Sequence, residues 1–178
     1  MANALALLAI AFVLASPQMA NCQMDGMQPM TVQSTDFTEG GEIPARCTCD
    51  GADSSPELHF GDIPAAAKSL VLIMDDPDAP KGTLTHWLVW NLKPDAKEIL
   101  AGSPPQDAVQ GVNFKGQNGY TGPCPASGTH RYHFRLFALD TALKLPANSD
   151  RKAVDKAIEG HVLAKAELVG LYTRGAKY

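Results

Sequence analysis

The chain has 178 residues, the size of one ordinary domain, with 45% hydrophobic and 19% charged residues. That is enough apolar material for a core and too little charge for a disordered chain. The net charge of −4 leaves no basic surplus to neutralise phosphates, which disfavours nucleic-acid binding by a charged patch. A small anion, which needs only a few local donors, stays open. Glycine and proline together make about 16% of the chain, above the usual share of roughly 12%, and point to a turn-rich, β-rich domain.

The first feature is an apolar run, Ala4 to Ala15 (ALALLAIAFVLA). It is short of the roughly 20 residues of a spanning helix and matches the core of a secretory signal, with cleavage after Ala15 or Cys22. The basic start usual in such segments is absent, the first Lys or Arg being Arg46. Residues 1–22 are therefore expected to direct export to the periplasm or the extracellular space. If the segment is no signal, the protein is cytoplasmic. Residues 23–29 read as a flexible lead-in and 30–178 as one domain. Cys47 and Cys49 stand too close for an unstrained bridge to each other. In an oxidising compartment one of them can pair with Cys124, and the alternative is buried free thiols.

Three strands follow: Ser69 to Asp75, Thr85 to Leu92 and Arg131 to Asp140. The first two are nearly continuous apolar runs, as in central strands covered on both faces. A helix is expected from about Asp150 to Ala164, with caps at Asn148, Ser149 or Asp150 and an apolar stripe of Val154, Ala157, Ile158 and Val162. Gly160 weakens it. A last strand is expected at Glu167 to Tyr172. Between these elements lie long Gly/Pro-rich loops, and such loops on a rigid sheet are where sites form.

Side chains alternate along a strand. Asp76 continues the parity of Leu70, Leu72 and Met74. His86 has that of Leu88, Trp90 and Leu92, and His130 and Tyr132 that of Phe134, Leu136 and Ala138. If the strands are neighbours, Asp76, His86, His130 and Tyr132 converge at one mouth of the core, as apolar walls with a few polar groups. The prolines of Asp76-Pro77-Asp78-Ala79-Pro80 fix the Asp side chains in place. The glycines of the 119–125 segment admit backbone N–H groups to an anion. Taken singly, Asp76 and Asp78 are ordinary turn caps and His86 an ordinary core histidine. The joint pattern carries the pocket.

DPDAP (76–80), HWLVWN (86–91), GYTGPCPASGTHRYHFRLFALD (119–140) and EGHVLAKAELVGLY (159–172), together with IPARCTCDG (43–51) and SPEL (55–58), resemble the phosphatidylethanolamine-binding protein family, in its bacterial, Raf-kinase-inhibitor-like branch. The resemblance implies a mainly β, two-sheet sandwich-like fold with a few peripheral helices, and a pocket for phosphate-bearing groups such as phosphoethanolamine. Carried over by residue, the ligand would meet Asp76, His86, His130 and Tyr132, with Asp78, Pro80, Gly122, Pro123 and Arg131 in support. No cofactor and no metal are implied, and bacterial members include homodimers. Cys47 stands where an aromatic residue is expected, and His59-Phe60 where Ser-Trp is usual. Only five residues separate Pro80 from His86, where eukaryotic members carry a longer insert. That weighs against a kinase-regulating role.

The leading expectation is a non-enzymatic binder of a small phosphorylated or anionic ligand. The alternatives are a regulator or inhibitor of a partner protein, such as a protease or kinase, and an enzyme. The enzyme would use Asp76, His86 and His130 as a two-His, one-carboxylate metal site or Ser127 as a nucleophile.

Overall fold

In a computed structural model, residues 29–103 and 105–175 are described. The expected signal segment, and the lead-in up to residue 28, lie outside them. The uninterrupted apolar run Ser69–Asp76 (β3) is buried at every position, because it lies inside a five-stranded sheet with both faces covered. Among the described residues there are eight strands and one α-helix. In chain order they are β1 (Thr31–Gln33), β2 (Leu58–Gly61), β3, β4 (Leu84–Leu92), β5 (Glu98–Ile99), β6 (Val109–Gln110), β7 (Thr129–Leu139), α1 (Arg151–Ile158) and β8 (Val162–Thr173). The large sheet has the order β6-β4-β3-β7-β8 and a small one the order β1-β2-β5. All strand pairs within the two sheets are antiparallel. The fold is thus mainly β and two-sheeted, as the sequence leads one to expect.

One face of the large sheet presents Leu70, Leu72 and Met74 of β3 and Tyr132, Phe134, Leu136 and Ala138 of β7. They pack with Val32, Leu58, Phe60 and Ile99 of the small sheet. The other face presents Val71 and Ile73, with Leu88 and Trp90 of β4, and packs on Val154 and Ile158 of α1. The parity expected for β3 and β7 holds. That of β4 does not, since Leu88 and Trp90 face the helix, while Trp87, Val89 and Leu92 face the small sheet.

Two bulges are responsible. Leu70 pairs with Leu92 but Val71 with Trp90, and Met74 pairs with Trp87 but Asp75 with Thr85. Asn91 and His86 are the extra residues, and each extra residue shifts the alternation by one. Asn91 takes a left-handed backbone, φ +59°. Its side chain clamps Leu143, donating to the carbonyl at 2.9 Å and accepting from the N–H at 2.8 Å.

The helix is shorter than expected. Asp150 caps it by accepting from the Ala153 N–H at 2.9 Å, and Val154 and Ile158 are buried as the stripe requires. Gly160 then turns left-handed, φ +77°, and Val162 already opens β8. Val162 therefore belongs to a strand, where it is exposed. Cys49 pairs with Cys124 in a disulfide, and Cys47 is a buried free thiol. Burial, and then the neighbouring Asp36 carboxylate, push the Cys47 thiol up to about 11.

Candidate functional site

Asp76 ends β3, His130 and Tyr132 stand near the start of β7, and His86 lies near the start of β4. The antiparallel order brings these ends together. His130 Nδ1 lies 2.8 Å from Asp76 Oδ2. A carboxylate only accepts, so Nδ1 carries the proton and Nε2 is the free ring nitrogen. The His130 side chain keeps 12% of its surface exposed and Asp76 4%.

His86 is buried. Its Nδ1 lies 2.8 Å from the Thr121 carbonyl, so here too Nδ1 donates. Its Nε2 is buried with no hydrogen-bond partner among the described residues. Burial lowers the His86 pKa, opposed by the Thr121 carbonyl and the Asp76 and Asp75 carboxylates, while Lys115 adds to the lowering. The ring is therefore neutral at pH 7, with a lone pair on Nε2. Tyr132 is fully buried. Burial, and then the Asp76 carboxylate, push its phenol well above the usual range. Its hydroxyl lies beside Asp76 and the Cys124 backbone but makes a well-formed hydrogen bond to neither.

The rings form a row. His86 meets Tyr132 edge-on at 5.3 Å between centroids, and Tyr132 stacks with His130 at 6.5 Å. On its other side His86 meets Phe114 at 4.8 Å. The bulge makes this row. Strict alternation from Leu88 and Trp90 would send His86 toward the helix, and the extra residue turns it to the face of Trp87 and Tyr132.

The expected supporting residues divide. Asp78 accepts from the Arg131 backbone N–H at 2.9 Å and from its guanidinium at 2.9 and 2.7 Å. Arg131 holds the Asp78 carboxyl far below the usual carboxylate range. Asp78 also donates its N–H to Asp76 Oδ1 at 2.9 Å. This pair straps the β3–β4 turn to β7, so Arg131 is spent on Asp78. Pro80 is exposed within that turn. A Cβ on Gly122 would stand 2.3 Å from the Cys47 carbonyl, so only glycine fits where this loop crosses the 47–53 segment. The Pro123 carbonyl accepts from the Cys49 N–H at 3.1 Å.

Three amides of the glycine loop are taken up within the protein, while the Cys124 backbone lies beside the Tyr132 hydroxyl. Gly122 N–H donates to Asp53 Oδ1 at 2.5 Å, Thr121 N–H to the His86 carbonyl at 3.1 Å and Gly119 N–H to Gly111 at 3.3 Å. The loop positions His86 through the Thr121 carbonyl. Phe114 and Thr121 escape a strand-parity reading because both lie in loops. The sequence signal for Phe114 is a large aromatic side chain set among the polar residues of VNFKGQNG (112–119).

The alternative metal site is not the one assembled. Among the described residues, the group that gathers ligand atoms of three side chains within 4.8 Å is Glu57, His59 and Glu98 on the small sheet, not Asp76, His86 and His130. There His59 faces Glu57 at 2.7 Å and Glu98 at 3.4 Å, one carboxylate at each ring nitrogen. Ser127 is exposed. Surface cavities of about 430 and 610 Å3 lie elsewhere, lined by residues such as Leu92 and Asp107 or Met30 and Leu168.

These features define a class: a mainly β, two-sheet domain with a carboxylate, two histidines and a phenol gathered at one end of its large sheet. The chain belongs to the phosphatidylethanolamine-binding protein family, whose family model matches residues 33–173. The UPF0098 protein of Methanothermobacter thermautotrophicus is 49% identical over 151 residues, covering 82% of this chain and all of that one. That of Aquifex aeolicus is 47% identical over 152 residues, covering 82% and 89%. Among solved structures, a phosphatidylethanolamine-binding protein homologue from Chlamydia trachomatis matches with a TM-score of 0.80 at 40% identity, covering 83% of this chain and 99% of that one. Escherichia coli YbcL, described as a member of the mammalian family, matches at 0.78 and 27%, covering 83% and 100%. Membership supports a ligand-binding or regulatory role in general terms and is generally non-enzymatic.

Proposed function

We propose that the chain binds, without transforming it, a small phosphate-bearing or otherwise anionic ligand at Asp76, His86, His130 and Tyr132, and that it works outside the cytoplasm. One observation carries the binding reading: His86 Nε2 and the Tyr132 hydroxyl are buried without partners beside a histidine oriented by Asp76. Buried polar atoms are nearly always satisfied, and a ligand carrying oxygen atoms at this end of the sheet would supply the missing partners. The compartment reading rests on the Cys49–Cys124 disulfide, whose Cys124 end is exposed and so open to cytosolic reductants.

The tautomers set the proton balance. Both rings donate through Nδ1, so a neutral ring shows the ligand a lone pair at Nε2. A phosphate oxygen needs a donor there. Binding therefore takes up a proton at Nε2 or selects the protonated, monoanionic phosphate, and it tightens from pH 8 to pH 6. The test is a titration of the protein with inorganic phosphate and with phosphoethanolamine, followed through the histidine ring signals by NMR. Saturable shifts of His86 and His130 that disappear in His130→Ala support the reading. Silence of both rings up to millimolar ligand, or a flat pH profile, removes it and brings a protein partner forward.

A further inference from the structure

Phe114 and Lys115 lie outside the four-residue set and have no role in the core. Phe114 is 40% exposed, one of four large apolar side chains on the described surface, and its ring packs on the end of the ring row. Its exposure is held in place by the backbone. Phe114 N–H donates to the Thr85 carbonyl at 2.9 Å. Asn113, itself buried, accepts from the N–H groups of Lys115 at 2.9 Å and Gln117 at 3.2 Å and donates to the Gly119 carbonyl at 3.0 Å. The ring stands 4.8 Å from that of His86, whose Nε2 is the partnerless atom.

Lys115 sets a cation beside this ring, while the Asp76 and Asp75 carboxylates act on His86. Lys115 Nζ lies 5.8 Å from the Phe114 centroid and joins none of the ion pairs among the described residues. Its charge is felt at His86. Arg131, the other cation adjoining the set, is locked onto Asp78. An ammonium arriving over Phe114 would find the ring's cation position already taken by Lys115 and would be repelled. A flat apolar group is attracted to the ring and indifferent to the lysine.

Resting on the anion-binding reading above, we propose that Phe114 and Lys115 read the group esterified to the bound phosphate, and that the site prefers a phosphomonoester of a flat, apolar alcohol to one ending in an ammonium. The preference is a property of these two residues, and the phosphate itself is held by the buried set.

Calorimetric titrations with inorganic phosphate, phenyl phosphate and phosphoethanolamine test this in the wild-type chain, Phe114→Ala and Lys115→Gln. The wild type should bind phenyl phosphate about threefold to tenfold more tightly than inorganic phosphate, the range of one aromatic contact, and phosphoethanolamine more weakly than either. Phe114→Ala should erase the phenyl advantage and keep inorganic phosphate within about twofold. Lys115→Gln should narrow the gap to phosphoethanolamine. Equal affinity for the two esters in the wild type, or a phenyl advantage that survives Phe114→Ala, overturns the inference and leaves the anion site standing. If no phosphate compound binds, both fall together. Both side chains are surface groups, so unchanged thermal melting of the variants shows that the fold is intact.

Discussion

Tyr132 is fully buried, and its hydroxyl lies beside Asp76 and the Cys124 backbone without a well-formed hydrogen bond to either; a buried hydroxyl left so costs up to about 1–3 kcal/mol. Tyr132→Phe removes that cost and keeps the ring that stacks between His86 and His130. The ligand-free variant should therefore melt a few degrees higher by calorimetry, while its phosphate affinity falls about fivefold to tenfold, the worth of a neutral hydrogen bond. A variant that loses both stability and affinity would point to a purely structural phenol. At this scale much of the site is legible in the sequence, because Asp76, His130 and Tyr132 follow plain strand alternation. His86 joins them for a different reason. Its parity with Leu88 and Trp90 points to the helix, and a bulge brings it back. Phe114 and Thr121 lie in loops, where no period exists to be read.

Bulges belong to the scale of elements, and β4 has two. The one at Asn91 depends on a left-handed residue and on two hydrogen bonds to the Leu143 backbone. Asn91→Ala loses both bonds and the tolerance of asparagine for the left-handed region. Together these cost about 2–4 kcal/mol, and urea unfolding measures the loss. Asn91→Gly escapes the steric part and should fall between the two. A result for Ala within about 0.5 kcal/mol of wild type would show that the bulge needs no clamp. Asn91 carries no turn signal within HWLVWNL, which is why the sequence shows an unbroken alternating strand. The helix end was in part written in Gly160, whose left-handed backbone stops α1. The short strands β1, β2, β5 and β6 have two to four residues each, below any window in which alternation can be counted.

Across the whole molecule, two long-range couplings connect stability to the site. The Cys49–Cys124 bridge spans 75 residues of sequence and fastens the 48–53 segment to the loop whose Thr121 carbonyl orients His86. Closing a loop of that length is worth up to about 4 kcal/mol, so reduction should lower the urea midpoint and weaken phosphate binding in parallel. Unchanged binding after reduction would mean that the Gly122–Asp53 contact holds the loop alone. The second coupling is His86 itself. Burial lowers its pKa in the native state. Above the ordinary histidine value of about 6.5, native and unfolded chains both carry the ring neutral, and its contribution is intact. As the pH falls below that value, the unfolded chain takes the proton first, and stability is lost until the pH reaches the lowered native value. The slope from this one group cannot exceed about 1.4 kcal/mol per pH unit. His86→Gln, whose amide can still donate to Thr121, should flatten the stability curve between pH 7 and pH 5. Saturating phosphate should flatten it as well, because a ligand that needs a donor at Nε2 favours the protonated ring that burial disfavours. If phosphate stabilises the protein equally at pH 7 and pH 5, the anion does not meet His86, and the buried nitrogen serves the fold alone.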